Sequence, residues 1–206
     1  MKTKAHVLLI GYSKLSRKRL INYLLKNKIK LSIASKSYKS NIDNIVEQFN
    51  SYGNALKFSK ANIVYISLPN SLHYTWAKKA LNYGYHVIVD KPICENYLKS
   101  LDLVSLAKKK NRLISEATFF NYHNQIKKSL MIIKNKKILK INVNFTIPLP
   151  PKNSILLSKK FSGGVIMDMA PYAAAIHRIF LNKKIIKKNI TIKKNKNKLP
   201  VEMNLK

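Results

Sequence analysis

The sequence predicts an α/β fold: a parallel sheet covered by helices, followed by a shorter and incomplete α+β region. Three observations predict it. Short apolar runs rich in β-branched residues recur at 7–10, 31–34, 63–68, 86–89 and 113–117, the pattern of strands buried on both faces. Segments of helical period lie between them, and a parallel pair needs such a crossover. Beyond Asn121 that alternation lapses, giving way to proline-containing loop and a lysine-rich tail.

The first strand, 7–10, ends at Gly11, and 15–25 form a helix with Leu15, Leu20 and Leu24 on one side. Strand, glycine turn and helix is the order in which a Rossmann-type sheet places its phosphate loop. The usual fingerprint is G-x-G-x-x-G; here the run is Gly11-Tyr12-Ser13-Lys14-Leu15-Ser16. The second glycine normally lets the backbone approach a pyrophosphate, and the third lets helix and strand pack closely. Serine adds a side chain at both places, although Ser13 or Lys14 could donate to a phosphate. By itself the motif also fits a plain turn before a helix.

The second strand, 31–34, runs into Ser35-Lys36-Ser37. An NAD-selective site usually carries a carboxylate there for the ribose diol. With none present, a ribose 2′-phosphate would not be repelled and Lys36 could pair with it; alternatively Lys36 is one more surface lysine. Residues 41–49 read as a helix, with Asn41 as N-cap and Ile42, Ile45, Val46 and Phe49 as its apolar face. Residues 52–59 add one or two helical turns. On this reading the third strand of the nucleotide-binding half is compressed or missing.

The central stretch, 61–96, is strand, turn, helix, strand, turn. Pro69-Asn70-Ser71 stops the strand at 63–68. Leu72, Trp76, Ala77 and Ala80 recur at helical spacing, and Gly84 closes the helix. The strand at 86–89 ends at Asp90-Lys91-Pro92. Such a βαβ unit is right-handed with parallel strands. Both polar clusters therefore follow carboxyl ends of strands, the edge where open α/β sheets bind ligands. A helix over 97–110 and a strand at 113–117, containing Glu116, follow.

Leu68-Pro69-Asn70-Ser71-Leu72-His73 and Asp90-Lys91-Pro92 resemble, at this separation, the x-P-N-x-x-H and E-K-P segments of the glucose–fructose oxidoreductase, inositol dehydrogenase and rhizopine-catabolism (Gfo/Idh/MocA) family. The resemblance implies an NAD(P)-dependent oxidoreductase acting on a sugar, sugar nucleotide or cyclitol. It implies NADP or NAD as cofactor, met by Gly11, Ser13, Lys14 and Leu15 in the first turn and by Ser35 and Lys36 after the second strand. It places Leu68, Pro69, Asn70 and His73 at and just beyond the end of the strand at 63–68, with Asn70 and His73 positioning the nicotinamide and its ribose, and Asp90, Lys91 and Glu116 on the later strand ends. Lys91 would lower the pKa of a substrate hydroxyl or polarise a carbonyl.

In the second region, 125–133 reads as a helix and 138–147 as a strand, alternating around Ile141, Val143 and Phe145. The run from Gly163 to Phe180 resembles the family's G-G-x-x-x-D-x-G-x-[HY] segment. Asp168 and Tyr172 match its functional positions, and four residues apart they share one helix face. By that resemblance Tyr172 relays a proton and Asp168 holds a substrate hydroxyl or tunes Tyr172. Ala170 replaces the usual glycine, and Pro171 implies an irregular first turn. Beyond Phe180 the resemblance fades; one further strand is expected, at 190–192, in a tail expected to be mobile from about Lys183. The expected division is 1–120 for the dinucleotide-binding domain and 121–206 for the start of a substrate and oligomerisation domain.

Forty Lys and Arg against eight Asp and Glu give a formal charge of +32. Such a balance favours anionic ligands. Arginine, however, occurs only at 17, 19, 112 and 178, and the lysines are dispersed rather than interleaved with aromatics along one face. That argues against a nucleic-acid module. The richness in Lys, Asn, Ile, Tyr and Phe matches an A/T-rich coding sequence. A lone cysteine, Cys94, excludes an internal disulfide, and with no signal-peptide pattern the expectation is a cytoplasmic protein. No run is apolar for long enough to span a membrane, and no residues are spaced as metal ligands. A small sugar-like substrate and a homo-oligomer are the expected partners. The remaining alternative is a shortened homologue with weak or no catalysis that at most binds a nucleotide.

Overall fold

The computed structural model describes residues 4–36 and 42–206. The chain forms two compact units, Met1–Ala117 and Thr118–Lys206. The first holds a six-stranded parallel sheet, in the order β3-β2-β1-β4-β5-β6. In chain order these are β1 (His6–Ile10), β2 (Lys30–Ala34), β3 (Ile45–Phe49), β4 (Ile63–Ile66), β5 (His86–Asp90) and β6 (Ile114–Ala117). A π-helical stretch, Ser16–Ile21, continues as α1 (Asn22–Lys26) between β1 and β2. The other helices are α2 (Tyr52–Phe58), α3 (Asn70–Asn82) and α4 (Tyr97–Lys109).

The central strands β1 and β4 are nearly all apolar because both faces are covered. On one face Leu8, Ile10, Val64, Ile66, Val87 and Val89 pack against α2, α3 and α4 through Leu56, Ala77, Leu81 and Leu103. On the other, Val7, Leu9, Leu31, Ile33 and Tyr65 pack against Ile21 and Leu24 of the first helix. Successive side chains point to opposite faces, so each strand feeds both cores.

The helix expected over 41–49 is not there. Ile45–Phe49 is a strand paired in parallel with β2, so the third strand of this half is present. The expected cap, Asn41, lies outside the described residues. A register shift at Leu31/Ser32 sends Ile45 to one core and Phe49 to the other. The helical spacing of these residues therefore builds no single helical face.

β3 is also anchored by polar bonds. Glu47 Oε2 accepts from Ser32 Oγ at 2.8 Å and Ser59 Oγ at 2.5 Å, and Oε1 accepts from the Lys60 N–H at 3.1 Å. Ser32 gives its hydrogen to Glu47, so it accepts from the buried His6 ring, 2.8 Å away. Burial pulls the Glu47 carboxyl up, but the bonds from Ser59, Ser32 and Lys60 outweigh it and leave the group below the ordinary glutamate range. A lowered folded-state pKa adds stability above the unfolded-state value that is lost as pH falls through the folded one. Glu47→Gln is thus expected to cost about 1–3 kcal/mol at neutral pH. The deficit should shrink on acidification below the glutamate range. Thermal melts across that pH window check it; a gap that widens on acidification refutes the assignment.

In the second unit, the residues between α5 (Asn124–Ile133) and residue 154 form no helix or strand. The strand expected at 138–147 is absent among the described residues. Its alternation is real, but a strand exists only when a neighbour takes up its backbone hydrogen bonds. Instead the sheet of this unit is a hairpin, β7 (Ile190–Lys194) against β8 (Pro200–Leu205). The first of these strands is expected from sequence and the second is not. Between lies α6 (Val165–Ile176), followed by a π-helical turn, His177–Leu181. Gly164 opens α6 at φ +101°, beside the Pro200 carbonyl, a conformation L side chains rarely adopt. The helix continues through Pro171, so the irregularity falls at its far end rather than in its first turn.

Candidate active site

The order β3-β2-β1-β4-β5-β6 reverses its direction of growth between β1 and β4. In open α/β sheets ligands bind outside the strand ends at such a switch point. Gly11 lies there at φ +95°, and a Cβ on it would overlap the Ser67 carbonyl and come within 2.8 Å of Leu68 Cδ2. Its N–H donates to the Ala34 carbonyl and the Ser67 N–H donates to Ile10, each at 2.9 Å, extending the ladder past the strands. Only glycine fits this turn.

The two serines in the other fingerprint positions are absorbed by hydrogen bonds. Ser13 Oγ accepts the Ser16 N–H at 3.0 Å, and Ser16 Oγ donates to the Ser13 carbonyl at 2.9 Å. Ser16 is buried, so the helix packs against the sheet with a hydroxyl where a hydrogen is usual. Ser13 Oγ also lies 2.8 Å from Ser67 Oγ. The turn stays tight, and the fit to a dinucleotide phosphate loop survives the loss of two glycines. Lys14 and the partly exposed Leu15 follow on the surface of the first helical turn.

Ser35, buried at the end of β2, donates its N–H to the Phe49 carbonyl at 2.9 Å, and Lys36 next to it is exposed. Ser37 lies outside the described residues. Pro69 and Asn70 open α3, with the Leu72 N–H donating to the Pro69 carbonyl at 2.9 Å.

His73 is wholly buried. Its ring nitrogens lie 2.7 Å from the Pro92 carbonyl and 2.8 Å from the Leu68 carbonyl. The side chain expected beside a nicotinamide thus ties the loop after β4 to the loop after β5. Glu116 braces the same loop from β6, where its Oε2 accepts the Ile93 N–H at 2.9 Å. Lys91, half-buried and joined to Pro92 by a cis bond, lies between these anchors.

Two residues not expected from sequence complete this edge. Asp90 accepts from Tyr65 OH at 2.5 Å and from Ser67 Oγ at 2.7 Å. Burial, then the adjacent Asp90 charge, pushes the Tyr65 phenol well above its ordinary range, so it stays a donor. The signal for Ser67 was its place near the carboxyl end of an apolar strand. Tyr65 reads as core.

In the second unit, Asp168 sits in the first turn of α6 and Tyr172 one turn on. The Tyr172 ring stacks at 28° on Phe145 and tilts at 54° to Phe120, each 5.4 Å between centroids. This fixes the phenol by aromatic packing. Among the described residues no group of His, Cys, Asp and Glu is placed to hold a metal ion. No described helix is long and apolar enough to cross a membrane.

A parallel, doubly covered sheet with a glycine turn at its switch point defines a dinucleotide-binding class of domain. Comparison with known proteins narrows it. Residues 5–118 match the Gfo/Idh/MocA model, described as an oxidoreductase family with an NAD-binding Rossmann fold. The chain belongs to this family. It is 26% identical over 136 residues to D-xylose 1-dehydrogenase (NADP(+)) 2 of Haloferax volcanii, covering 65% of this chain and 42% of that protein. It is 29% identical over 133 residues to dTDP-3,4-didehydro-2,6-dideoxy-alpha-D-glucose 3-reductase of Saccharopolyspora spinosa, covering 63% and 40%. Among solved structures it resembles KijD10, a 3-ketoreductase from Actinomadura kijaniata in complex with NADP and TDP-benzene. There the TM-score is 0.86 at 22% identity, over 98% of this chain and 66% of that one. The chain thus spans less than half of the curated relatives it matches.

Proposed function

We propose that the chain is part of an NAD(P)-dependent oxidoreductase that moves a hydride between a nicotinamide cofactor and a hydroxyl or carbonyl of a sugar, sugar nucleotide or cyclitol. The observation that carries this most is the glycine turn at the β1/β4 switch point, with Gly11 after one strand and Asn70, Asp90 and Lys91 following the adjoining ones. The relatives support it, since one is named as an NADP(+) sugar dehydrogenase and another as a dTDP-sugar reductase. When bound, the nicotinamide supplies or takes up the hydride. Lys91 stabilises charge on the substrate oxygen and holds or gives its proton. Asp168 is assigned to a substrate hydroxyl and Tyr172 to relaying the proton. Titration of the purified chain with NADPH and NADH, followed by calorimetry, tests the reading; no binding of either cofactor overturns it.

Cofactor preference is part of this proposal. Ser35-Lys36 follows β2 with a hydroxyl and an ammonium where a ribose-binding carboxylate is usual. NADPH is expected to bind more tightly than NADH. A charge-assisted contact from Lys36 to the 2′-phosphate corresponds to roughly ten- to hundredfold. Lys36→Asp should invert the order through like-charge repulsion. Equal affinities in the unmodified chain sink this assignment.

A further inference from the structure

We propose that Asp90 and Ser67 are positioning residues for the phosphate loop, holding the Ser13 hydroxyl folded back on the sheet. The proposal rests on reading the switch point as a nicotinamide-dinucleotide site. The Asp90 carboxylate only accepts hydrogen bonds, and it accepts from Ser67 Oγ at 2.7 Å. A serine hydroxyl has one hydrogen, so that of Ser67 is committed to Asp90. The 2.8 Å bond between the two serines therefore runs from Ser13 to Ser67. Ser13 has one hydrogen for two oxygens, and Ser67 Oγ at 2.8 Å is nearer than Ser16 Oγ at 3.3 Å. With that hydrogen given to Ser67, the Ser13 oxygen accepts the Ser16 N–H at 3.0 Å. The Ser16 hydroxyl gives its own hydrogen to the Ser13 carbonyl at 2.9 Å.

Three side chains thus form a directed chain, Ser13 to Ser67 to Asp90, leading from the phosphate loop to the end of β5. A second donor, Tyr65 OH at 2.5 Å, holds the carboxylate from the neighbouring strand. Alternation places Tyr65 and Ser67 on the same face of β4, as it does Ile88 and Asp90 on β5. The Ser13 hydroxyl is accordingly a brace rather than a phosphate donor. The loop keeps the shape a second glycine would give it because the added hydroxyl is drawn into the sheet. Sequence alone allowed the opposite role, that of a direct ligand.

The test is a double-mutant cycle on the whole chain with two readouts. Ser67→Ala removes the acceptor for Ser13 and should weaken NADPH binding about tenfold. In a Ser13→Gly background the same change should cost less than about twofold, because no hydroxyl remains to be held. Asp90→Ala should behave like Ser67→Ala in both backgrounds. The second readout is amide hydrogen exchange without cofactor. Exchange across residues 11–16 should quicken in Ser67→Ala and Asp90→Ala while α3 and α4 keep their protection. A merely structural role predicts equal losses in both backgrounds and general loss of protection, and either result overturns the proposal. If the unmodified chain binds neither cofactor, the functional reading fails. The exchange readout still decides whether Asp90 and Ser67 hold the loop, and unchanged exchange there refutes it.

Discussion

Lys91→Met is expected to lower turnover by about 10²–10⁴-fold, the range for loss of a positioned acid or base, with NADPH affinity nearly unchanged. The expectation follows from how the loop is held. On the side of β5, Asp90 is fixed by Tyr65 and Ser67. Beyond Pro92, the backbone is held at the Pro92 carbonyl by His73 and at the Ile93 N–H by Glu116. The backbone on both sides of Lys91 is thus held by bonds that its neighbours make. Methionine keeps most of the length and loses the charge and the proton, so the loop should stand while the chemistry stops. The assay is NADPH oxidation against a keto-sugar nucleotide, with cofactor affinity measured in parallel. Turnover retained in the variant would move the proton-transfer role to another group. Affinity lost together with turnover would make Lys91 a binding residue.

The second large effect is expected at Gly11. Gly11→Val places a branched side chain at φ +95°, where the Ser67 carbonyl and Leu68 leave no room. The left-handed backbone costs about 1–3 kcal/mol for a side-chain-bearing residue. Displacing a packed backbone adds about 1–3 kcal/mol. The shift should also spoil the bonds from Gly11 N–H to Ala34 and from Ser67 N–H to Ile10, which zip the strand ends together. Urea unfolding should show the first unit destabilised by roughly 2–6 kcal/mol, the spread of these two costs together. Cofactor binding should disappear even at low temperature where the variant stays folded. An unchanged unfolding midpoint together with wild-type affinity would show that the turn tolerates a side chain and that the close approach is not needed.

Local pattern made some of the molecule legible and misread other parts. The unit β4–α3–β5 could be read directly, because its apolar runs, its proline and glycine stops and its polar strand ends all lie within one continuous stretch. β3 could not. Ile42, Ile45, Val46 and Phe49 fall at helical spacing, and only pairing with β2, with its shifted register, makes the last five residues of that segment a strand. Residues 138–147 fail in the opposite sense, since they alternate like a strand but take up no partner among the described residues. β8 was missed because Pro200 opens it, and proline is tolerated there as the first residue of a strand in a two-stranded sheet.

The site divides in the same way. Residue order along the chain is enough for the class of sheet, the glycine that turns the first strand, and the polar residues that gather at its carboxyl edge. Those depend on residue type and short spacing, and both are written along the chain. Tertiary structure alone decided what the polar groups do. His73 braces two loops because Leu68 and Pro92 bring their carbonyls to it. Ser13 turns inward because Ser67, 54 residues away, stands ready to accept its hydrogen and hands its own to Asp90. A hydroxyl gives one hydrogen and takes others, so its direction belongs to its partners, and those partners are neighbours only once the sheet has formed.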